Sequence, residues 1–255
     1  MRTRLIALIK RRLREWRVFS SIQDLRSYRS LRTAPPSQPP DPVKIRVREG
    51  GVSPLLCRPH TSDWKVLWDV FAGRYHLPPC KLDSAPVIVD LGANVGYTMR
   101  HFSFLYPDAE VIGVEMDQEN CAMARKNTEC LAGKCRLVHG AIWSAAGDVT
   151  YSGEEEQGFT IGRSDGNVRT VNSITMASLA EQHGLRRISY VKMDIEGAER
   201  EVLSGDTLWL NMVQSIKIET HLSDATFYLE KLRKHGFVAE KDKRHWSAVW
   251  GFKSR

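Results

Sequence analysis

The sequence predicts an α/β protein whose core is a mostly parallel sheet, covered by helices on both faces and finished by an antiparallel hairpin. Three observations carry that prediction. After Pro86 the apolar pattern alternates between short strand-like runs and helical stretches. The run V-I-V-D-L-G-A-N-V-G-Y-T-M-R, Val87 to Arg100, reads as a strand, a glycine turn and the start of a helix. The ending G-F-V-A-E-K-D-K-R-H-W-S-A-V-W-G-F reads as two strands whose link is too short for a parallel crossover.

Taken from the start, residues 1–33 hold ten Lys or Arg against Glu15 and Asp24, a balance of +8 within a whole-chain charge of +7. The rest of the chain is therefore close to neutral, which argues against a nucleic-acid-binding body, DNA included, and leaves the arm as a possible contact for a membrane surface, an acidic partner or RNA. Leu5, Leu8, Ile9, Leu13 and Trp16 recur near helical spacing among these bases, the pattern of an amphipathic basic arm. Such an arm is either a docked or solvated terminal helix or a peripheral contact with a membrane surface. A signal peptide fits less well, because the apolar stretch L-I-A-L-I is short and bases follow it. Ala34 to Pro42 carries five prolines and is read as a linker, residues 34–42.

Residues 43–85 are expected to form a small segment packed on the core. It starts with two short strands around Glu49-Gly50-Gly51, followed by a helix capped within Thr61-Ser62-Asp63 and running through Trp64, Leu67, Trp68 and Phe71. Residues 86–255 hold the main sheet. Strands are expected at 87–91, 110–115, 135–139, 188–193, 213–219, 236–240 and 246–252, and helices near 95–105, 118–130, 198–204 and 224–235. Tyr151 to Arg163 is read as a solvated hairpin, with a lid as the alternative. Trp143, Trp246 and Trp250 are assigned to the core in preference to a pocket lining. The five cysteines show no C-x-x-C spacing, which argues against a zinc site and for a reducing, cytoplasmic setting.

Ligands of a parallel sheet bind beyond the carboxyl ends of its strands, where Asp90, Glu115 and Asp194 fall. An acid closing the second strand can accept the hydroxyls of an adenosine ribose. The turn reads D-x-G-x-N-x-G, and a pyrophosphate site would suffer from the carboxylate of Asp90. S-adenosylmethionine has no phosphate and carries two cationic centres, so an acid near the loop favours it over NAD. The plain alternative is that Asp90 and Asn94 only cap a helix. The expected cofactor-facing residues are Asp90, Gly92, Ala93, Asn94, Gly96, Tyr97, Glu115, Met116, Ala141 and Ile142.

From about Thr61 to Glu219 the chain resembles the FkbM family of S-adenosylmethionine-dependent methyltransferases. The resemblance is carried by T-S-D-W-K-V-L-W-D-V-F with Tyr75, by V-I-V-D-L-G-A-N-V-G, by Y-V-K-M-D-I-E-G-A-E and by I-K-I-E. It implies the class I methyltransferase fold, a Rossmann-like sheet of seven strands with one antiparallel, and O-methylation of a sugar, glycolipid or other small hydroxylated metabolite. The chain departs from the family's L-D-x-L at Met176-Ala177-Ser178-Leu179, where no acid stands at Ala177.

Lys192, Asp194 and Glu196 alternate along a strand end and so share one side. With the resemblance, Asp194 and Glu196 are the first candidates for the acceptor side, and Lys192 is expected beside them. His221 follows the fifth strand and is a candidate general base. No metal is assigned, although Asp194, Glu219 and His221 form a possible Mg²⁺ set. Rival readings are a cofactor-binding protein without catalysis, a methyltransferase for RNA or protein, and a nicotinamide oxidoreductase.

Overall fold

The computed structural model describes residues 12–31, 41–152, 160–161, 168–221 and 224–254, with only the backbone at 160–161. The expected hairpin at Tyr151 to Arg163 and the expected proline linker both fall partly outside these residues.

The main sheet contains β3 (Val87–Leu91), β4 (Glu110–Glu115), β5 (Cys135–His139), β10 (Ile188–Met193), β11 (Val213–Glu219), β12 (Val238–Lys241) and β13 (Ala248–Phe252). Its spatial order is β12-β13-β11-β10-β3-β4-β5. β10 pairs in parallel with β11 and β3, and β3–β4 and β4–β5 are parallel. β13 is antiparallel to both of its neighbours, so one strand runs against the other six. β10 is buried along its whole length, as a strand between two helical layers must be. Helices α3 (Tyr97–Leu105), α4 (Gln118–Thr128), α6 (Glu199–Ser204) and α7 (Ala225–Lys234) follow β3, β4, β10 and β11. In the link between β12 and β13, Asp242 pairs with Lys217 of β11 and accepts from the Arg244 amide at 2.8 Å.

Between β5 and β10 the chain builds a second sheet that the periodicity did not reveal. Its strands are β6 (Ala141–Ile142), β7 (Gly147–Ser152), β8 (Thr160–Ile161) and β9 (Arg169–Ile174), in the order β6-β9-β7-β8. The pairing of Tyr151 with Ile161 makes β7 and β8 a hairpin. Helix α5 (Met176–Gln182) returns the chain to β10, and Thr175 caps it by accepting from the Ser178 amide at 3.0 Å. Ala177 lies exposed in the first turn, so the cap does not need an acid there.

The small N-terminal segment is clamped to α3 and α4. Its hairpin of β1 (Val43–Ile45) and β2 (Leu55–Cys57) precedes α2 (Asp63–Trp68), which runs on into a π turn at Asp69–Gly73. The buried guanidinium of Arg100 donates to the carbonyls of Asn127 (2.9 Å) and Ser53 (2.7 Å), and Asn127 accepts from the Leu56 amide at 2.7 Å. Residues 12–31, from the segment expected as a basic arm, are docked on this unit. Phe19 bridges Val47, and Val18, Phe19, Leu25, Tyr28 and Leu31 join one buried cluster with Ile45, Leu67, Phe71 and Tyr97. Helix α1 (Ile22–Ser30) is capped by Ser21, which accepts from the Asp24 amide at 3.1 Å. No helix among the described residues is long and apolar enough to cross a membrane.

Candidate active site

The carboxyl edge of the sheet gathers the predicted residues, and the glycine turn after β3 lies at its centre. Gly92, Asn94 and Gly96 have φ of 79°, 49° and 82°, a left-handed run that only permissive residues enter cheaply. Every backbone N–H from Gly92 to Gly96 already has an acceptor within the protein. Gly92 and Ala93 donate to the Val114 carbonyl at 3.0 Å, and Gly96 to the Ala93 carbonyl at 2.9 Å. Asn94 donates to Glu115 Oε2 at 2.7 Å, and Val95 to the Asn94 side-chain oxygen at 2.8 Å. A phosphate cradle needs free amides, and this loop has spent its own. Gly92 also serves packing, since a Cβ there would lie 1.9 Å from the Asp194 carbonyl oxygen.

Asp90 departs from its expected place. It is fully buried, accepts a hydrogen bond from Thr98 and lies 3.3 Å from Lys192 Nζ, its register partner on β10. With no exposed surface it meets no ligand directly, and its charge reaches the pocket through Lys192. Lys192 is itself 3.4 Å from Asp194 and donates to the Gly92 carbonyl at 2.7 Å. Burial disfavours its charge, but the two carboxylates outweigh that and push its pKa well above the ordinary value. Lys192 is thus a permanent cation tying the turn to the tips of β3 and β10.

Glu115 stands at the tip of β4, where it accepts from the amides of Asn94 (2.7 Å) and Asp117 (2.9 Å). A carboxylate offers about four acceptor positions, so about two remain for ribose hydroxyls. Burial raises its pKa to about 7 against those amides. Met116 packs with Ala141, Tyr151 and Val171 beside it, while Ile142 belongs to the main core. Tyr97 is not among these residues. It is buried against the N-terminal cluster and its hydroxyl donates to the Leu56 carbonyl at 2.8 Å, because the first helical turn after Gly96 faces that unit.

The tips of β10 and β11 form an acidic cluster around His221. Its Nε2 lies 3.5 Å from Glu196, 3.7 Å from Glu219 and 3.8 Å from Asp194. Its Nδ1 lies 3.1 Å from Glu199, a fully buried acid held by the amides of Ile195 (2.9 Å) and Gly197 (3.0 Å). Burial works against a charged ring here, but the Glu199 hydrogen bond and the surrounding carboxylates push the His221 pKa up to about 9. His221 therefore carries its proton at neutral pH, which replaces the expectation of a resting general base with that of a counter-charge. Glu196, at a left-handed φ of 54°, has its pKa raised to about 8 by burial and by Asp194. It is therefore mostly protonated at pH 7, and its ionised form, the one able to take a proton, gains as the pH rises toward about 8. Asp194, Glu219 and His221 each bring a donor atom within 4.8 Å of the others, so a divalent cation could bridge them once His221 loses its proton.

Several neighbours escaped the sequence reading. His245 Nε2 lies 3.9 Å from Glu219 and its ring is 6.0 Å from that of half-buried Tyr75. Ser247 donates to Glu219 at 3.2 Å. Asp117 caps α4 and pairs with Arg169. Of these, only Tyr75 had a signal, its place in the resemblance. Trp246 was assigned to the core but is 94% exposed, because it stands in the turn between β12 and β13.

The strand order, the single reversed strand and a glycine turn answered by an acid on the next strand define a class I methyltransferase fold. The chain belongs to the FkbM methyltransferase family: residues 90–239, more than half of it, match the Methyltransferase FkbM domain. It is 27% identical over 163 residues to the 2-O-methyltransferase NoeI of Sinorhizobium fredii, a match covering 56% of this chain and 65% of that protein. It is 26% identical over 137 residues to the hexuronic acid methyltransferase AglP of Haloferax volcanii, covering 53% and 56% respectively. The matches thus span less than two thirds of either relative's length. Among solved structures, it is similar to a precorrin-6y C5,15-methyltransferase from Geobacter metallireducens (16% identity, 68% of this chain and 83% of that chain, TM-score 0.43). A fibrillarin from Aeropyrum pernix in complex with natively bound S-adenosyl-L-methionine aligns at 12% identity, covering 73% and 74%, with a TM-score of 0.41.

Proposed function

We propose that this chain transfers a methyl group from S-adenosylmethionine to a hydroxyl oxygen of a sugar or another small hydroxylated metabolite. The observation that carries the cofactor is the glycine turn with all five amides spent. The turn itself, from Asp90 to Tyr97, contains no Lys or Arg to neutralise a phosphate. The donor set fits a phosphate-free adenosine: Glu115 would hold the ribose, Met116 and Ala141 would flank the base, and Asn94 and Gly96 would shape the loop around the amino-acid end. The names of the two curated relatives support a sugar acceptor.

S-adenosylmethionine supplies a methyl group already activated on a sulfonium. The protein's tasks are then to orient the acceptor and to take its proton. Glu196 is assigned the proton in its ionised form, a strong base for a carboxylate because its pKa is raised to about 8, so turnover should rise with pH through that value. Asp194 orients the hydroxyl beside it. His221 offsets the carboxylates, and Glu199 fixes its ring.

The test is calorimetry with S-adenosylmethionine, followed by a mass-spectrometric screen for methylated acceptors. Asp194→Ala is expected to bind cofactor within a few-fold of the wild type while turnover falls about 10²-fold or more, the size of effect expected for a group that positions a reacting atom. Loss of cofactor binding in that variant, or tight uptake of NADH by the wild type, would refute the reading. Turnover in the presence of EDTA separates this scheme from a cation-assisted one.

The finer reading is a lipid-linked acceptor, with the protein held at an anionic membrane. Arg12, Leu13, Arg14, Trp16 and Arg17 are all exposed on the docked N-terminal turn, with Leu13 at 58% and Trp16 at 51%. Bases beside apolar side chains are the chemistry of interfacial helices.

A further inference from the structure

We infer that Tyr75 is a cofactor-binding residue, its hydroxyl donating to the α-carboxylate of S-adenosylmethionine beside Lys192. The inference rests on the methyl-transfer reading above and deepens it by assigning the amino-acid end of the cofactor.

Tyr75 comes from outside the main sheet but is fixed to it from both sides in sequence. Arg74 sits at a left-handed φ of 56° and pairs with Glu49. His76 is fully buried: its carbonyl accepts from the Tyr190 hydroxyl of β10 at 2.7 Å, and its ring lies 5.0 Å from that of Phe102 on α3. Between these anchors the half-buried Tyr75 ring packs 5.6 Å from His76 and 6.0 Å from His245. The charges acting on its hydroxyl are, strongest first, those of Lys192, Asp194, Asp90 and Glu219. These groups stand at the tips of β10, β3 and β11, so the hydroxyl lies over the middle of the carboxyl edge.

Free donors are scarce there. The five turn amides are spent, and Lys192 divides its protons among Asp90, Asp194 and the Gly92 carbonyl. At 3% exposure, Lys192 reaches a ligand by its field rather than by contact. The hydroxyls of Thr98, Ser247 and Thr220 go to Asp90, Glu219 and the Ser247 carbonyl. Those of Tyr97 and Tyr190 go to the carbonyls of Leu56 and His76. The Tyr75 hydroxyl makes no hydrogen bond among the described residues, and its oxygen is not sealed in the core. Burial raises its pKa against the opposing charge of Lys192, so it stays a neutral donor.

The amino-acid end of S-adenosylmethionine is a zwitterion, and this edge has mixed sign. With Glu196 mostly protonated at pH 7, the cations Lys192 and His221 face the carboxylates of Asp90, Asp194, Glu199 and Glu219. The ammonium and sulfonium of the cofactor suit those carboxylates. Its α-carboxylate suits only the neighbourhood of a cation. Of the two cations His221 is ringed by acids, whereas Lys192 has a free hydroxyl beside it. A hydrogen bond from that hydroxyl to an ionised acceptor is about twice as strong as one to a neutral group.

The experiment is calorimetry on the full chain with S-adenosylmethionine and with decarboxylated S-adenosylmethionine, which lacks only the carboxylate. Tyr75→Phe keeps the ring and should leave the melting temperature unchanged. It is expected to weaken binding of S-adenosylmethionine roughly tenfold or more, and that of the decarboxylated analogue by less than about twofold. A crystal of the wild type with S-adenosylhomocysteine, which retains the carboxylate, is expected to place that group within about 3 Å of the Tyr75 oxygen. Equal losses for the two ligands, no loss for either, or a carboxylate held away from Tyr75 would each overturn the inference. Failure of the wild type to bind S-adenosylmethionine sinks methyl transfer itself, whereas cofactor binding without an effect of Tyr75 sinks only this assignment.

Discussion

Gly92 shows what a single residue does in this site. The glycine turn was expected to bring backbone close to a cofactor, yet the approach that demands glycine is made by the Asp194 carbonyl. The turn after β3 and the loop after β10 thus interlock, and Lys192 binds the same pair of tips from below. Gly92→Ala would pay twice, once for a left-handed φ and once for displacing a carbonyl. Roughly 2–5 kcal/mol of destabilisation is expected, with loss of cofactor binding. Gly133→Ala is the control, because its φ of 89° is just as left-handed but nothing lies within 4 Å of the added Cβ. That variant should lose only about 1–2 kcal/mol. Urea unfolding of both variants measures the difference, and equal losses would show that the clash is relieved without cost.

At the scale of elements, a chain of polar side chains, half-buried Glu49 and the fully buried His101 and His76, fastens the β1–β2 hairpin to α3. Glu49 accepts from His101 Nε2 at 2.8 Å, so neutral His101 presents its Nδ1 lone pair, which accepts from His76 Nε2 at 3.0 Å. Burial lowers the His101 pKa to about 4, with Glu49 opposing the shift, and lowers that of His76 well below its ordinary value. Because the folded pKa is depressed, the unfolded chain binds a proton that the folded one refuses between about pH 6.5 and 4. Stability must therefore fall as the pH drops through that window, by about 3 kcal/mol from His101 alone. Unfolding midpoints across pH 7.5 to 4 test this, and His101→Gln should flatten the slope by about one proton. An unchanged slope would mean that His101 titrates freely.

For the whole molecule, the segment read as a basic arm presents a buried face and an exposed one. Phe19, Leu25 and Tyr28 build core, while Leu13 and Trp16 face solvent among arginines. Deleting residues 1–33 would remove both faces at once, so it cannot test membrane contact cleanly. Leu13→Asp with Trp16→Asp leaves the buried face intact. If the exposed face meets a membrane, this pair should reduce co-sedimentation with phosphatidylserine vesicles by about tenfold or more, with no change in melting temperature. Co-sedimentation equal to the wild type would rule out this face as the contact.

How much of this was legible in the chain depended on the range of the signal. The main strands, the reversed hairpin and the glycine turn follow from apolar periodicity and turn residues, which are local properties. Asp90, Glu115, Asp194 and His221 could be placed at one edge because parallel strands bring their carboxyl ends together whatever their distance in sequence. Burial, partner and protonation state could not be read that way. Asp90 is closed off by Lys192 from another strand, and Tyr97 turns to Leu56, forty-one residues earlier. His221 keeps its proton because carboxylates from two strand tips converge on it. The second sheet was missed because its strands are two to six residues long and mostly polar or half-exposed. The sequence by itself determined the fold class and which strand ends meet at the working edge, since these rest on local pattern and strand polarity. Only the tertiary structure decided which of the side chains there are free to act, because charge, exposure and hydrogen-bond supply are set by neighbours that the chain brings in from afar.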